Sequence, residues 1–264
     1  MRVTVVGCAG SFPGPDSAAS CYLVQAAHEG RTFSMLLDLG NGALGALQRH
    51  LPPWEVDAVV FSHLHPDHCV DLCGLYVMRR YRPGRADDPE DPVRIPVWGP
   101  AGARERMAAI NGAEGPEDMG SEFDFGTLAD TTPVRIGPFT VTPHRVNHPV
   151  EAYGLRVQAD GASLAYTGDT DRCPALLPLM TGADLVLADS AFVEGRDHSA
   201  GVHLSGRRAA EAALAAGGVE RLVLTHLPAW NDPEVCRAQA AAVWPGEVGL
   251  ARPGTAYELG ERRP

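Results

Sequence analysis

Lysine is absent from the 264 residues; all 22 basic side chains are arginine. That absence excludes a Schiff-base lysine, a pyridoxal-phosphate site, a Walker loop and a Ser-x-x-Lys nucleophile. No apolar run reaches the ~18 residues of a membrane span, and no apolar leader precedes the first strand-like run. The expectation is a cytoplasmic chain with no membrane attachment. No Cys-x-x-Cys pair occurs among Cys8, Cys21, Cys69, Cys73, Cys173 and Cys236. Reduced, mostly buried thiols fit that spread better than a disulfide framework. Positive charge is also scarce: 33 acidic against 22 basic residues give a formal net charge of -11. Such a balance disfavours an extended nucleic acid as partner, though a local arginine patch can still hold one phosphate.

What remains is a chain with 45% hydrophobic residues, enough for a sizeable core. Its length suits one domain spanning 1–264, since single cores stop growing beyond ~250–300 residues. Strand-like runs rich in Val, Leu, Phe, Tyr and Thr fall at 2–7, 20–25, 32–39, 57–62, 95–98, 138–144, 152–157, 163–167, 184–188 and 221–225. Helical periodicity marks 43–49, 69–79, 103–110, 173–180, 206–216 and 232–242. Two sheets covered by outer helices accommodate this order better than one parallel sheet. The charged, proline-containing 80–93 and the Gly/Glu/Asp-rich 111–122 read as long surface loops able to cover a site.

The informative segment is Phe61-Ser62-His63-Leu64-His65-Pro66-Asp67-His68-Cys69, directly after the apolar run Val59-Val60. In extended chain His63 and His65 project to one side, and a turn at Pro66 can bring Asp67 and His68 back toward it. Imidazole nitrogens with a carboxylate form the donor set of zinc or manganese. Three more candidates each follow a strand-like run: His148 in Val146-Asn147-His148-Pro149, Asp169 in Thr167-Gly168-Asp169-Thr170, and His226 after Leu222-Val223-Leu224-Thr225. Strand ends are where sites tend to form on a rigid scaffold.

Together these motifs resemble the metallo-β-lactamase superfamily over nearly the whole chain. The resemblance implies an α/β fold, an αββα sandwich of two mixed sheets flanked by helices. It also implies two divalent cations, zinc or alternatively manganese. His63, His65 and His148 would hold one; Asp67, His68 and His226 the other; Asp169 would bridge them. Asp67 would further orient the attacking water. Asp189-Ser190-Ala191-Phe192 followed by His203-Leu204-Ser205-Gly206 resembles the phosphodiesterase branch that includes ribonuclease Z. There His203 would stand beside the scissile phosphate as a catalytic residue. The plainer reading of that stretch is a histidine outside a helix that Ser205 caps.

A nearer resemblance, to the actinobacterial proteins described as atypical class II cyclic-AMP phosphodiesterases, rests on five stretches. They are Gly7-Cys8-Ala9-Gly10-Ser11, Gly14-Pro15-Asp16-Ser17, Gly45-Ala46-Leu47-Gln48-Arg49-His50, Arg79-Arg80-Tyr81 and Leu224-Thr225-His226-Leu227-Pro228. The tRNA-binding arm of ribonuclease Z usually lies between the third and fourth metal motifs. Here His148 and Asp169 are only 21 positions apart, and a hairpin uses those up. The implied activity is hydrolysis of a small anionic phosphodiester, a 3′,5′-cyclic nucleotide in the first place, by an enzyme whose relatives lead one to expect a homodimer. Its rivals are another hydrolase on the same site (lactonase, thioesterase or β-lactamase) and a metal-stabilised binding protein without turnover.

Lesser signals have two readings each. Arg79 and Arg80 can contact an anionic substrate or pair with a helix C-terminus. His144 can support the metal cluster or be an ordinary strand residue. Cys69 can reach the metals or be a buried thiol. Asp197 and His198 can line the mouth of the site. Gly7-x-x-Gly10 imitates a dinucleotide loop, but Pro13 and Pro15 discourage the helix that must follow.

Overall fold

The computed structural model describes residues 1–84, 94–112 and 119–260. Among these residues, fifteen strands form two sheets. The first runs β15(Ala256–Glu258)-β1(Arg2–Ala9)-β3(Cys21–His28)-β4(Arg31–Leu37)-β5(Ala58–Val60)-β6(Ile95–Gly99)-β7(Phe123–Thr127), with β2(Ala18–Ala19) beside β1. The second runs β14(Val248–Leu250)-β13(Leu222–Thr225)-β12(Leu185–Asp189)-β11(Ala162–Tyr166)-β10(Tyr153–Ala159)-β9(Phe139–Arg145)-β8(Val134–Ile136). Both are mixed: β4 to β7 and β11 to β14 pair parallel, the hairpins β3–β4, β9–β10 and β10–β11 antiparallel.

Strand alternation explains the layering. Tyr22, Val24, Met35 and Leu37 of the first sheet meet Val141, Leu155, Leu164 and Leu187 of the second in one central core. Their neighbours Cys21, Leu23 and Leu36 face outward, under α1(Ala43–Leu47), α3(Leu72–Tyr81) and α4(Ala103–Ile110). On the other side Ala165, Val186 and Ala188 lie beneath α5(Leu176–Met180), α6(Gly206–Ala215) and α7(Pro233–Ala241). Strands buried on both faces read as continuous apolar runs, as these do. The αββα sandwich expected from the sequence is the observed fold.

The helices begin where their caps dictate. Ser205 accepts the Arg208 N–H at the start of α6, and Asp232 accepts that of Glu234 ahead of Pro233 in α7. The helix expected over 69–79 is two pieces, α2(Pro66–Cys69) and α3. Between them the Asp71 N–H donates to Leu39 O and the Asp71 carboxylate accepts the Leu44 N–H, which draws the chain out of helical register. Arg80 and Tyr81 belong to the end of α3 rather than to a loop. Of the two long loops, 85–93 and 113–118 lie outside the described residues. The short strands β7, β8, β14 and β15 carry no run of β-branched residues long enough to be read from sequence. No helix among the described residues is long and apolar enough to cross a membrane.

Candidate metal centre

β5 ends at Val60, β9 at Arg145, β11 at Tyr166, β12 at Asp189 and β13 at Thr225. The two sheets set these ends along one edge of the sandwich, and the histidines and carboxylates just beyond them converge. Asp169 sits at the meeting point of three groups of donor atoms, each lying within 4.8 Å of one another. Two make up the cluster itself, His63, His65, His148 and Asp169 in the first and Asp67, His68, Asp169 and His226 in the second; Asp169 with Asp189 and His203 forms a third beside it.

In the first group the His65 Nδ1 lies 3.0 Å from His63 Nε2 and 3.2 Å from His148 Nε2. Two imidazole nitrogens on one tetrahedral zinc, at the usual Zn–N length, stand about 3.3 Å apart, so the spacing suits a shared cation. Burial lowers the basicity of His63 and of His65, and the neighbouring histidines lower it further. Neutral imidazole is the form that ligates. The remaining His148 nitrogen, Nδ1, is 2.9 Å from the Val202 carbonyl, which accepts its N–H and directs Nε2 to the cluster.

In the second group His68 Nε2 is 3.2 Å from Asp169 Oδ1 and 3.5 Å from Asp67 Oδ2. His226 Nε2 is 3.2 Å from Asp169 Oδ2 and 3.8 Å from Asp67 Oδ2. His68 Nε2, His226 Nε2 and Asp169 Oδ1 are buried, aimed at one another, and have no hydrogen-bond partner among the described residues. Orphaned polar atoms of this kind need an explanation, and a cation between them supplies it. Burial alone would raise Asp67, but the charges of His68 and His226 hold its carboxyl well below the usual range. Asp169 is buried too, and His226, His68 and His63 hold it well below the usual range. Against burial, Asp169 and Asp38 push His68 well above an ordinary histidine. Buried carboxylates thus favour positive charge at this point, whether a proton or a metal ion brings it. The residues present fit divalent cations.

Asp38, at the end of β4, is a residue the sequence reading passed over. It is wholly buried, and one carboxylate oxygen accepts the Ser62 N–H at 2.7 Å. The other accepts the Ser62 and Tyr166 hydroxyls and faces His68 Nδ1, each at 2.7 Å. It thereby orients His68 and fixes the strand end that carries His63. Its only sequence signal is a carboxylate following the apolar run Met35-Leu36-Leu37, which burial would penalise unless it were paired. Ser20 Oγ plays the equivalent part for His226 Nδ1, at 3.1 Å.

His203 stands beside the second group. Its Nδ1 is 2.9 Å from the Asp189 carboxylate, and its ring stacks on His226 with centroids 5.3 Å apart. Burial disfavours its charged form, but Asp189 overrides this and raises His203 to about 9. Ser205 caps α6, as the plainer reading of the stretch expects, and His203 faces the cluster.

The other candidates have contacts of their own. Arg79 is wholly buried in the last turn of α3, and Arg80 donates to Ser121 and stands over Tyr76 and Tyr81. His144 is a buried β9 residue paired with Gly154. Cys69 is buried, its thiol pushed up to about 12 by desolvation, and is outside the converging donor groups. Asp197 accepts the Val193 N–H and pairs with Arg196, stapling its own loop; His198 is exposed there.

The family model described as "Beta-lactamase superfamily domain" matches residues 34–227, which takes in all seven converging side chains. The chain belongs to the beta-lactamase superfamily. Within it, a protein of Mycobacterium tuberculosis is 43% identical over 251 residues, covering 94% of this chain and 88% of the relative. YhfI of Bacillus subtilis, named a probable metallo-hydrolase, is 30% identical over 260 residues, 98% of this chain and all of YhfI. The YhfI crystal structure superposes with a TM-score of 0.83 at 28% identity, covering 97% of this chain and 99% of that one. Ribonuclease Z of Mycobacterium bovis is 28% identical over 290 residues spanning both chains fully. Superfamily membership and the clustered His and Asp side chains support a metal-dependent hydrolase using divalent ions.

Proposed function

We propose that this superfamily member is a phosphodiesterase that hydrolyses a small phosphodiester, with a 3′,5′-cyclic nucleotide such as cyclic AMP as the favoured substrate. The observation that carries the reading is the Asp189–His203 pair beside the donor cluster. With Nδ1 engaged by Asp189, Nε2 is the nitrogen left for a substrate oxygen. A protonated His203 is suited to an anionic phosphoryl group and to a departing alkoxide; a lactone or a β-lactam has less use for a fixed positive charge there.

The same reading assigns His63, His65 and His148 to one ion, Asp67, His68 and His226 to a second, and Asp169 to both. Zinc suits the nitrogen-rich first group, with manganese the alternative. Bound divalent ions supply Lewis-acid charge at the phosphoryl group. Asp67 accepts a hydrogen bond from the attacking water and orients it, and His203 passes its proton to the leaving oxygen. Transfer-RNA processing is disfavoured because the 21 positions from His148 to Asp169 hold β10, β11 and their turns, with no arm.

Purified protein assayed against cyclic AMP, bis(p-nitrophenyl) phosphate, a lactone and a cephalosporin, with metal analysis and an Asp67→Ala control, tests the proposal. Turnover of the phosphodiesters, lost in Asp67→Ala, is the expected outcome. Turnover of the lactone alone would remove the phosphodiesterase reading. Full metal occupancy without any turnover would favour a binding protein.

A further inference from the structure

Two large aromatic side chains stand exposed next to His226. Trp230 is 62% exposed and Phe12 38%, and their rings touch with centroids 5.0 Å apart and planes 44° apart. Both are carried on anchored turns. Gly10 presses so closely on His226 that a Cβ there would lie 2.3 Å from the His226 carbonyl oxygen and 3.0 Å from its ring Cδ2. The Gly10 N–H donates to Leu227 O, and at Ser11, with φ 64, the chain turns back so that the Phe12 N–H donates to Gly10 O. Phe12 is two residues past the contact with His226, hence within about 7 Å of it along the backbone. Trp230 follows His226 by four residues, in a turn closed by the Asn231 N–H on Pro228 O. Asn231 is buried beneath it, donating to Ala191 O and accepting from Arg196.

An exposed tryptophan leaves apolar surface in water, and here the two rings rest on each other above hydrogen-bonded turns. We propose that Phe12 and Trp230 form a stacking platform for the base of a nucleotide whose phosphate occupies the metal centre. The proposal rests on the phosphodiesterase reading and deepens it, since it accounts for a heteroaromatic substrate. Base–aromatic stacking tolerates any base, because every base has a π-face. The platform therefore selects nucleotides over other phosphodiesters without choosing adenine over guanine.

The test compares the metal-loaded wild type with Phe12→Ala, Trp230→Ala and Trp230→Phe. Substrates are cyclic AMP and a ribose 3′,5′-cyclic phosphate bearing a methyl group in place of the base. Each alanine variant should raise KM for cyclic AMP roughly tenfold with kcat within about twofold, Trp230→Phe should largely restore it, and the base-free substrate should be unaffected. A KM for cyclic AMP unchanged in both alanine variants would overturn the platform while leaving the phosphodiesterase reading intact. If the wild type turns over no phosphodiester, adenosine 5′-monophosphate is titrated instead while indole fluorescence is followed. Quenching that disappears in Trp230→Phe supports the platform; quenching identical in wild type and variant, or none in either, overturns it. A changed sedimentation coefficient without a KM effect would assign the pair to a subunit contact and likewise overturn it.

Discussion

His148 Nε2 stands 3.2 Å from His65 Nδ1, although 83 residues separate the two along the chain. Neutral imidazoles gain little from such an approach on their own, and bringing them together closes a long loop at an entropic cost. The fold sets them side by side because β5 and β9 end at the same edge of the sandwich. What the arrangement can bind, and what it depends on, leads to three expected outcomes.

Removing Asp38 should weaken metal binding without touching a proposed ligand. Asp38→Ala leaves the Ser62 and Tyr166 hydroxyls and His68 Nδ1 without their acceptor in a buried place. Loss of such supporting contacts usually costs about 10- to 100-fold in metal affinity. An unsatisfied buried group adds about 1–3 kcal/mol of destabilisation. Chelator-competition titration and thermal unfolding measure the two effects. An unchanged affinity in Asp38→Ala would show that His68 needs no such anchor.

Metal analysis should find two divalent ions per chain in wild type and one or none in Asp169→Ala, because Asp169 belongs to both groups of the cluster. His144→Ala, in β9, should keep two. Free ion at a hundred times its Kd should stabilise the wild type by about 2.7 kcal/mol, seen as a higher Tm than in chelator. A Tm indifferent to chelator, with equal metal in wild type and Asp169→Ala, would contradict a shared site.

For the metal-free protein, the Asp189–His203 pair predicts a direction with pH. The folded value of about 9 exceeds the ordinary 6.5 of the unfolded chain. The pair's contribution is therefore complete below about pH 6.5 and is lost as pH rises through about 9. His203→Gln removes it. The Tm gap between wild type and His203→Gln in chelator should thus shrink from pH 6 to pH 10. A gap that widened over that interval would mean that Asp189 does not hold a proton on His203.

Much of the fold could be read ahead of the structure. Strands such as β3 and β4 are apolar on both faces, and such runs stand out in any window. Helices α6 and α7 start one residue after capping side chains whose role depends only on local sequence. By contrast β8, β14 and β15 are three-residue strands. Their state follows from the neighbour they pair with, not from their own propensity. The break at Val70–Asp71 also escaped, because the Leu39 carbonyl and Leu44 amide that cause it are remote in sequence.

The sequence by itself determined which donor atoms exist and that each follows a strand: side-chain chemistry and apolar runs are properties of short segments. It also excluded lysine-based chemistry outright. Only the tertiary structure decided that Asp169 belongs to both groups of the cluster, that Asp38 is the anchor of His68, and that Arg79 is buried in its helix. The first of those joins segments as far apart as Asp67 and His226, 159 positions from one another. Such relations arise when two sheets pack face to face and bring their strand ends to one edge, and no local pattern encodes a distance across that edge.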